Sequence, residues 1–119
     1  MLLLAQIAVA IVLLIHVYIV LLETVFFDTR GRRVFGLSAE KAAIVKPAMS
    51  NQGCYNGFLV AALAVGLLHG DPGIRSAFVH YGLLCVAVAG IWGGLTVSRR
   101  IILVQTVPAA VALLLFQFV

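Results

Sequence analysis

The sequence is poor in charge. Of its 119 residues only 8 are Lys or Arg and 4 are Asp or Glu, 10% in all, where a soluble domain carries about a quarter. With 64% hydrophobic residues and a mean hydropathy of +1.19, this deficit excludes an ordinary soluble domain. Cysteine is scarce too. Cys54 and Cys85 fall inside apolar stretches, without CxxC or Cys/His ligand spacing. No disulfide framework or zinc site is expected, and both read as small core residues. A nucleophile motif, a phosphate loop and a haem-ligand pair are also missing, so no metal and no cofactor is implied. Residues 2–27 lack a basic leader and a small-residue cleavage site, so they read as a span and not as a signal peptide.

What remains is mostly long apolar runs. One helical span takes roughly 20 apolar residues, and the chain accommodates four: 2–27, 48–69, 74–97 and 101–119. Lipid offers the backbone no hydrogen-bond partners, so the spans are expected to be helical throughout. The short connections make each helix antiparallel to its predecessor. The expected fold is therefore all-α, a polytopic antiparallel four-helix transmembrane bundle forming a single domain over 1–119.

The connections have local signals of their own. In 28–47, the one long loop, "DTRGRR" reads as a turn on Gly31, and "SAEKAAIVK" as a short helix capped by Ser38. Pro47 either begins the second span or kinks a longer helix. "HGDPG" is a tight turn through Asp71, Pro72 and Gly73.

The net charge of +4 does not indicate nucleic-acid binding. Arg30, Arg32, Arg33, Lys41, Lys46, Arg99 and Arg100 sit in the first and third connections, and only Arg75 lies on the other side. By the positive-inside rule, loop 28–47 is cytoplasmic and both termini are outside.

Against this apolar background a few polar residues stand out. His16 and Glu23, seven apart, share a helix face. His16 falls near mid-membrane, and Glu23 roughly 10 Å nearer the cytoplasm. Asn51, Gln52, Tyr55 and Asn56 cover an arc of about 140° on the second span, nearly opposite Gly53, Gly57, Ala61 and Ala64. Gln105 lies about one turn inside the cytoplasmic end of the fourth span. These side chains are expected to border one polar cavity, with Asn51, Gln52 and Tyr55 at its mouth.

Each has a plainer reading. Glu23 can snorkel to the interface and pair with Arg30 or Arg99. His16 can be a neutral core histidine, and the amides can be interhelical glue. Tyr55 can belong to an interfacial aromatic belt. Gly53-x-x-x-Gly57 and Gly90-x-x-x-Gly94 permit close helix approach, within the bundle sooner than between copies. His69, Asp71 and His80 do not form a recognised ligand pattern.

"HVYIVLLETVF", "RRVFGLS", "NQGCYNGFLVAAL" and "LVQTVPAAVALLL" run along nearly the whole chain. In these segments the sequence resembles the bacterial small membrane-protein family catalogued as domain of unknown function 1304. The resemblance implies a four-helix protein of the bacterial inner membrane. Its recurring features correspond here to His16, Glu23, Asn51, Gln52, Tyr55, Asn56, Gln105 and Pro108. The chain departs from the family at Lys46-Pro47, where the helix entry is open to kinking. The family brings an architecture and a set of positions, but no activity.

An intramembrane carboxylate and imidazole beside an amide-lined helix favour binding or transport of a small molecule or proton-coupled solute. An isomerase-like enzyme acting on a lipid-soluble substrate is the alternative, and a structural or accessory subunit the third. The expected partners are the lipid bilayer and a small-molecule or lipid-like ligand, not nucleic acid. So small a bundle is expected to need a second copy, as a homodimer, to enclose a pathway.

Overall fold

Apolar side chains recurring along helical faces, with turn residues only between them, build an all-helical chain. The computed structural model describes residues 2–119, and among these there is no strand. Helix α1 spans Leu2–Glu23 and runs into a π-helical turn, Phe27–Gly31, followed by the three-residue α2, Arg32–Val34. Helix α3 covers Ala39–Leu68 and α4 covers Pro72–Thr96. A second π-helical segment, Ile102–Thr106, leads into α5, Val107–Phe116.

The caps explain most of these boundaries. Ser38 accepts from the Lys41 backbone N–H at 3.2 Å and starts α3. Asp71 accepts from the Ile74 N–H at 2.9 Å and starts α4, with Pro72 in the first turn, where it needs no donor. The His69 ring accepts from the Asp71 N–H, which closes the intervening turn.

The first connection differs from the expected loop. Gly31 is not a turn: its φ is −59° and it lies in helical geometry. A Cβ there would collide with the Leu22 carbonyl, so its role is close approach to α1. The turn is made by Gly36, at φ 67°, with the Leu37 N–H bonded back to the Arg32 carbonyl in a Schellman-like closure. The expected short helix after Ser38 is the first part of α3, which runs unbroken through Pro47. The second helix thus begins nine residues before the expected 48. Pro47 cannot donate to the Ala43 carbonyl, yet the surrounding turns carry the helix past it.

Four long elements meet in one core. Val9 and Val12 of α1, Leu63 of α3, Val79, Leu83 and Val86 of α4, and Ala109 and Ala112 of α5 are fully or almost fully buried. Close approach is provided where Gly66 faces Val79, Gly82 faces Leu63, and Gly90 and Gly94 face Thr106 and Ile102. These pairings make α3, α4 and the last helix successively antiparallel. Gly90-x-x-x-Gly94 therefore serves the interior of the bundle. Cys85 is half-buried and Cys54 is exposed, so Cys54 is not a core residue as expected.

Two helices, Leu2–Glu23 and Pro72–Thr96, are long and apolar enough to cross a membrane. The apolar stretch Ile102–Phe116 is shorter. In α3 the charged and amide residues fall between Glu40 and Asn56, which confines its apolar run to 57–68.

Candidate functional site

The site begins with how α1 ends. The Phe26 N–H bonds to the Leu21 carbonyl and the Gly31 N–H to the Phe26 carbonyl, both at 2.8 Å and both five residues back. This widened winding takes over just beyond Glu23, while the Thr24 hydroxyl donates to the Val20 carbonyl at 2.6 Å. Glu23 is 2% exposed. It does not snorkel.

Helix α3 meets it with three residues. Gln52 Nε2 donates to Glu23 Oε1 at 2.8 Å, and Asn56 Nδ2 donates to Oε2 at 2.8 Å. Four residues apart, the two amides lie one above the other on the helix surface. Gly53 admits α1 between them: a Cβ there would come within 2.6 Å of Thr24 Cγ2 and 3.2 Å of Glu23 Cβ. Helix α1 therefore docks on the seam between the polar arc and the small-residue face of α3. This corrects the expectation that Gly53 lies away from the site. Gly57, with open space beside it, makes no such contact.

The charge balance is distinctive. The ion pair found among the described residues, Lys46 with Asp28, does not involve Glu23. Arg30 turns back to Tyr18, donating to its hydroxyl at 2.6 Å with the guanidinium 5.6 Å from the ring centre. Glu23 is thus a buried carboxylate held by neutral amides and not by a cation. Each carboxylate oxygen can accept more than one hydrogen bond, so acceptor capacity remains after both amides have bonded.

The other expected site residues are not joined to this trio. His16 is fully buried, and its Nδ1 bonds to the Val12 carbonyl of its own helix at 2.9 Å. Its Nε2 is buried without a partner among the described residues. Asn51 and Tyr55 are exposed, and Tyr55 packs edge-on against Phe58 with ring centres 5.7 Å apart. Gln105 is half-buried in the second π-helical segment, its Cβ close to Gly90. That segment precedes Pro108, and the Val107 N–H bonds to the Ile102 carbonyl.

Two grooves on the surface are apolar, and Glu23 lines neither. One, of about 200 Å³, is lined by Val17, Val20, Leu21, Gly57 and Val60. The other, of about 410 Å³, is lined by Tyr81, Leu84, Cys85, Val88 and Ala89. At the opposite end of the bundle, Gln117 meets the His80 ring at 3.0 Å and ties α4 to the end of α5. Neither that link nor the Tyr18–Arg30 pair was expected, because no periodicity marks side chains that meet over long sequence separations.

No curated protein and no solved structure matches the chain. A family model described as "Protein of unknown function (DUF1304)" matches residues 10–117, a stretch that contains His16, Glu23, Gln52, Gly53, Asn56 and Gln105. The chain belongs to that family.

Proposed function

We propose that the protein is a four-span membrane protein whose Glu23–Gln52–Asn56 site binds a small cationic or protonated solute, as part of a binding or transport function. One observation carries the reading: a carboxylate, 2% exposed, is satisfied by two amides and has no cationic partner among the described residues. Ionisable groups inside a membrane are expensive and mark ion, proton or substrate sites. The remaining lone pairs of Glu23 suit an ammonium-type group or a proton, and the amides orient the carboxylate without neutralising it. Gln52, exposed on its outer side, offers the approach from the cytoplasmic end.

The membrane reading has its own support. The long dimension of the fold is 48 Å, near the thickness of a bilayer with its headgroups. Large apolar side chains such as Leu3, Leu14, Trp92 and Leu114 are more than half exposed, as lipid-facing residues would be. In this reading α3 and the Ile102–Phe116 stretch are the second and fourth spans. The connector is cytoplasmic, both termini are outside, and a homodimer encloses the pathway that one core filled with Val, Leu and Ala leaves no room for.

An intramembrane acid–base enzyme is the second reading, favoured by the buried, unpartnered Nε2 of His16. It requires one substrate to reach both His16 and Glu23, roughly 10 Å apart along α1.

The test is uptake into proteoliposomes of methylammonium and related small organic cations. The proposal expects saturable uptake that Glu23→Gln abolishes. Equal uptake by the variant and by the native chain, or none above protein-free vesicles across the panel, contradicts it.

A further inference from the structure

We propose that the connector between α1 and α3 is a preorganised binding surface for anionic phospholipid, with Arg32 and Arg33 holding the phosphate. The inference rests on the membrane-spanning reading above, but not on the role given to Glu23.

Three observations lead to it. First, exposed apolar side chains flank the arginines of the connector on both sides. Val25 is 74%, Phe26 47%, Val34 54% and Phe35 37% exposed, and Arg33 is exposed between them. Apolar groups at headgroup level enter the acyl region while guanidinium groups stay at the phosphates.

Second, the connector is built, not slack. Phe27 is 1% exposed and Gly31 is buried against the Leu22 carbonyl. The π-helical turn and the Gly36 closure then set the backbone of Arg32 and Arg33, since Arg32 and Arg33 carbonyls accept the Leu37 and Gly36 N–H groups. With their backbone set, two neighbouring planar guanidinium groups suit bidentate contact with a phosphate.

Third, the neighbouring charges of Asp28, Arg30 and Lys46 are already engaged. Lys46 pairs with Asp28, and Arg30 is turned to Tyr18. Arg32 and Arg33 have no ion-pair partner among the described residues. The antiparallel course of the helices brings Arg99 and Arg100 to the same end of the bundle, which adds to the positive field there. A phosphodiester with net negative charge complements this surface, and a zwitterionic headgroup does so poorly.

The experiment measures lipid retention by native mass spectrometry of the purified full chain, titrated with dioleoyl-phosphatidylglycerol or dioleoyl-phosphatidylcholine. The expected result is preferential retention of phosphatidylglycerol. The double variant R32Q/R33Q should weaken it by roughly tenfold or more, while R75Q, at the other end of the bundle, and E23Q should leave it unchanged. Equal retention of the two lipids, or undiminished retention by R32Q/R33Q with an unchanged circular-dichroism spectrum, overturns the proposal. Competition by glycerol phosphate at the same concentration as the lipid would show a free-phosphate site and overturn the lipid assignment. Should R32Q/R33Q not fold, loss of the phosphatidylglycerol preference of the native chain at raised salt supports the proposal, and its persistence overturns it. Extraction of the chain from membranes by alkaline carbonate would instead contradict the spanning reading, whatever the lipid result.

Discussion

Asn56 of α3 donates its side-chain N–H to Glu23 Oε2 of α1 at 2.8 Å, and this contact joins the two helices. It is one half of a pair, since Gln52 serves the other carboxylate oxygen. The amides differ in surroundings: Asn56 is half-buried and Gln52 is exposed. Loss of Asn56 therefore strands a buried oxygen, whereas water can replace Gln52.

Asn56→Ala should destabilise the fold by about 1–3 kcal/mol, the cost of leaving a buried polar group unpaired, and Gln52→Ala by less. Glu23→Gln should cost little, because a neighbouring amide can turn its oxygen toward the new N–H group. Unfolding titrations in mixed micelles check the order. Equal effects of Asn56→Ala and Gln52→Ala would contradict the burial difference.

The two glycines of the first Gly-x-x-x-Gly motif should respond in opposite ways. Gly53→Val drives side-chain atoms into Thr24 and Glu23 and should cost about 1–3 kcal/mol through overpacking. Gly57→Ala meets open space and should be neutral or stabilising, within about 1 kcal/mol. The same unfolding titration reads both. A neutral Gly53→Val would mean that α1 does not dock on this seam.

These two glycines also mark the limit of what a single sequence reveals. Local chemistry was legible in part: Ser38 caps a helix as expected, whereas Asp71 and Pro72, expected only as a turn, also cap and open α4 two residues before the expected 74. Glu23 and the amides could be assigned a common depth, because depth follows from rise per residue. Their pairing could not, because the rotation of α1 about α3 is set by packing between helices. The polar arc suggested that the whole group Asn51, Gln52, Tyr55 and Asn56 faces one way. The docked helix instead selects Gln52 and Asn56 and leaves Asn51 and Tyr55 outside. Gly31 misled for a related reason. Glycine signals a turn when its backbone freedom is used, but here the missing Cβ is what matters, and Gly36 provides the turn.

Topology is testable without a ligand. The exposed connection at Phe35 and Gly36 is the place for an inserted reporter, since Gly31 is packed against α1. A reporter there should be cytoplasmic, and one fused after Val119 external, as seven basic residues against one require. Finding both reporters on one side would mean an even number of crossings between Gly36 and the C-terminus and would contradict the expected three.

The central claim is that Glu23 is a functional carboxylate inside the bundle, held by Gln52 and Asn56 and open to proton or cation exchange. Infrared difference spectroscopy of the protein in lipid, across a step in pH, reads it most directly. The account predicts a carboxyl C=O band that is absent in Glu23→Gln, shifts in frequency in Asn56→Ala, and weakens when methylammonium is added. A difference spectrum identical in the native chain and Glu23→Gln would contradict it, leaving the amides as a lock between helices.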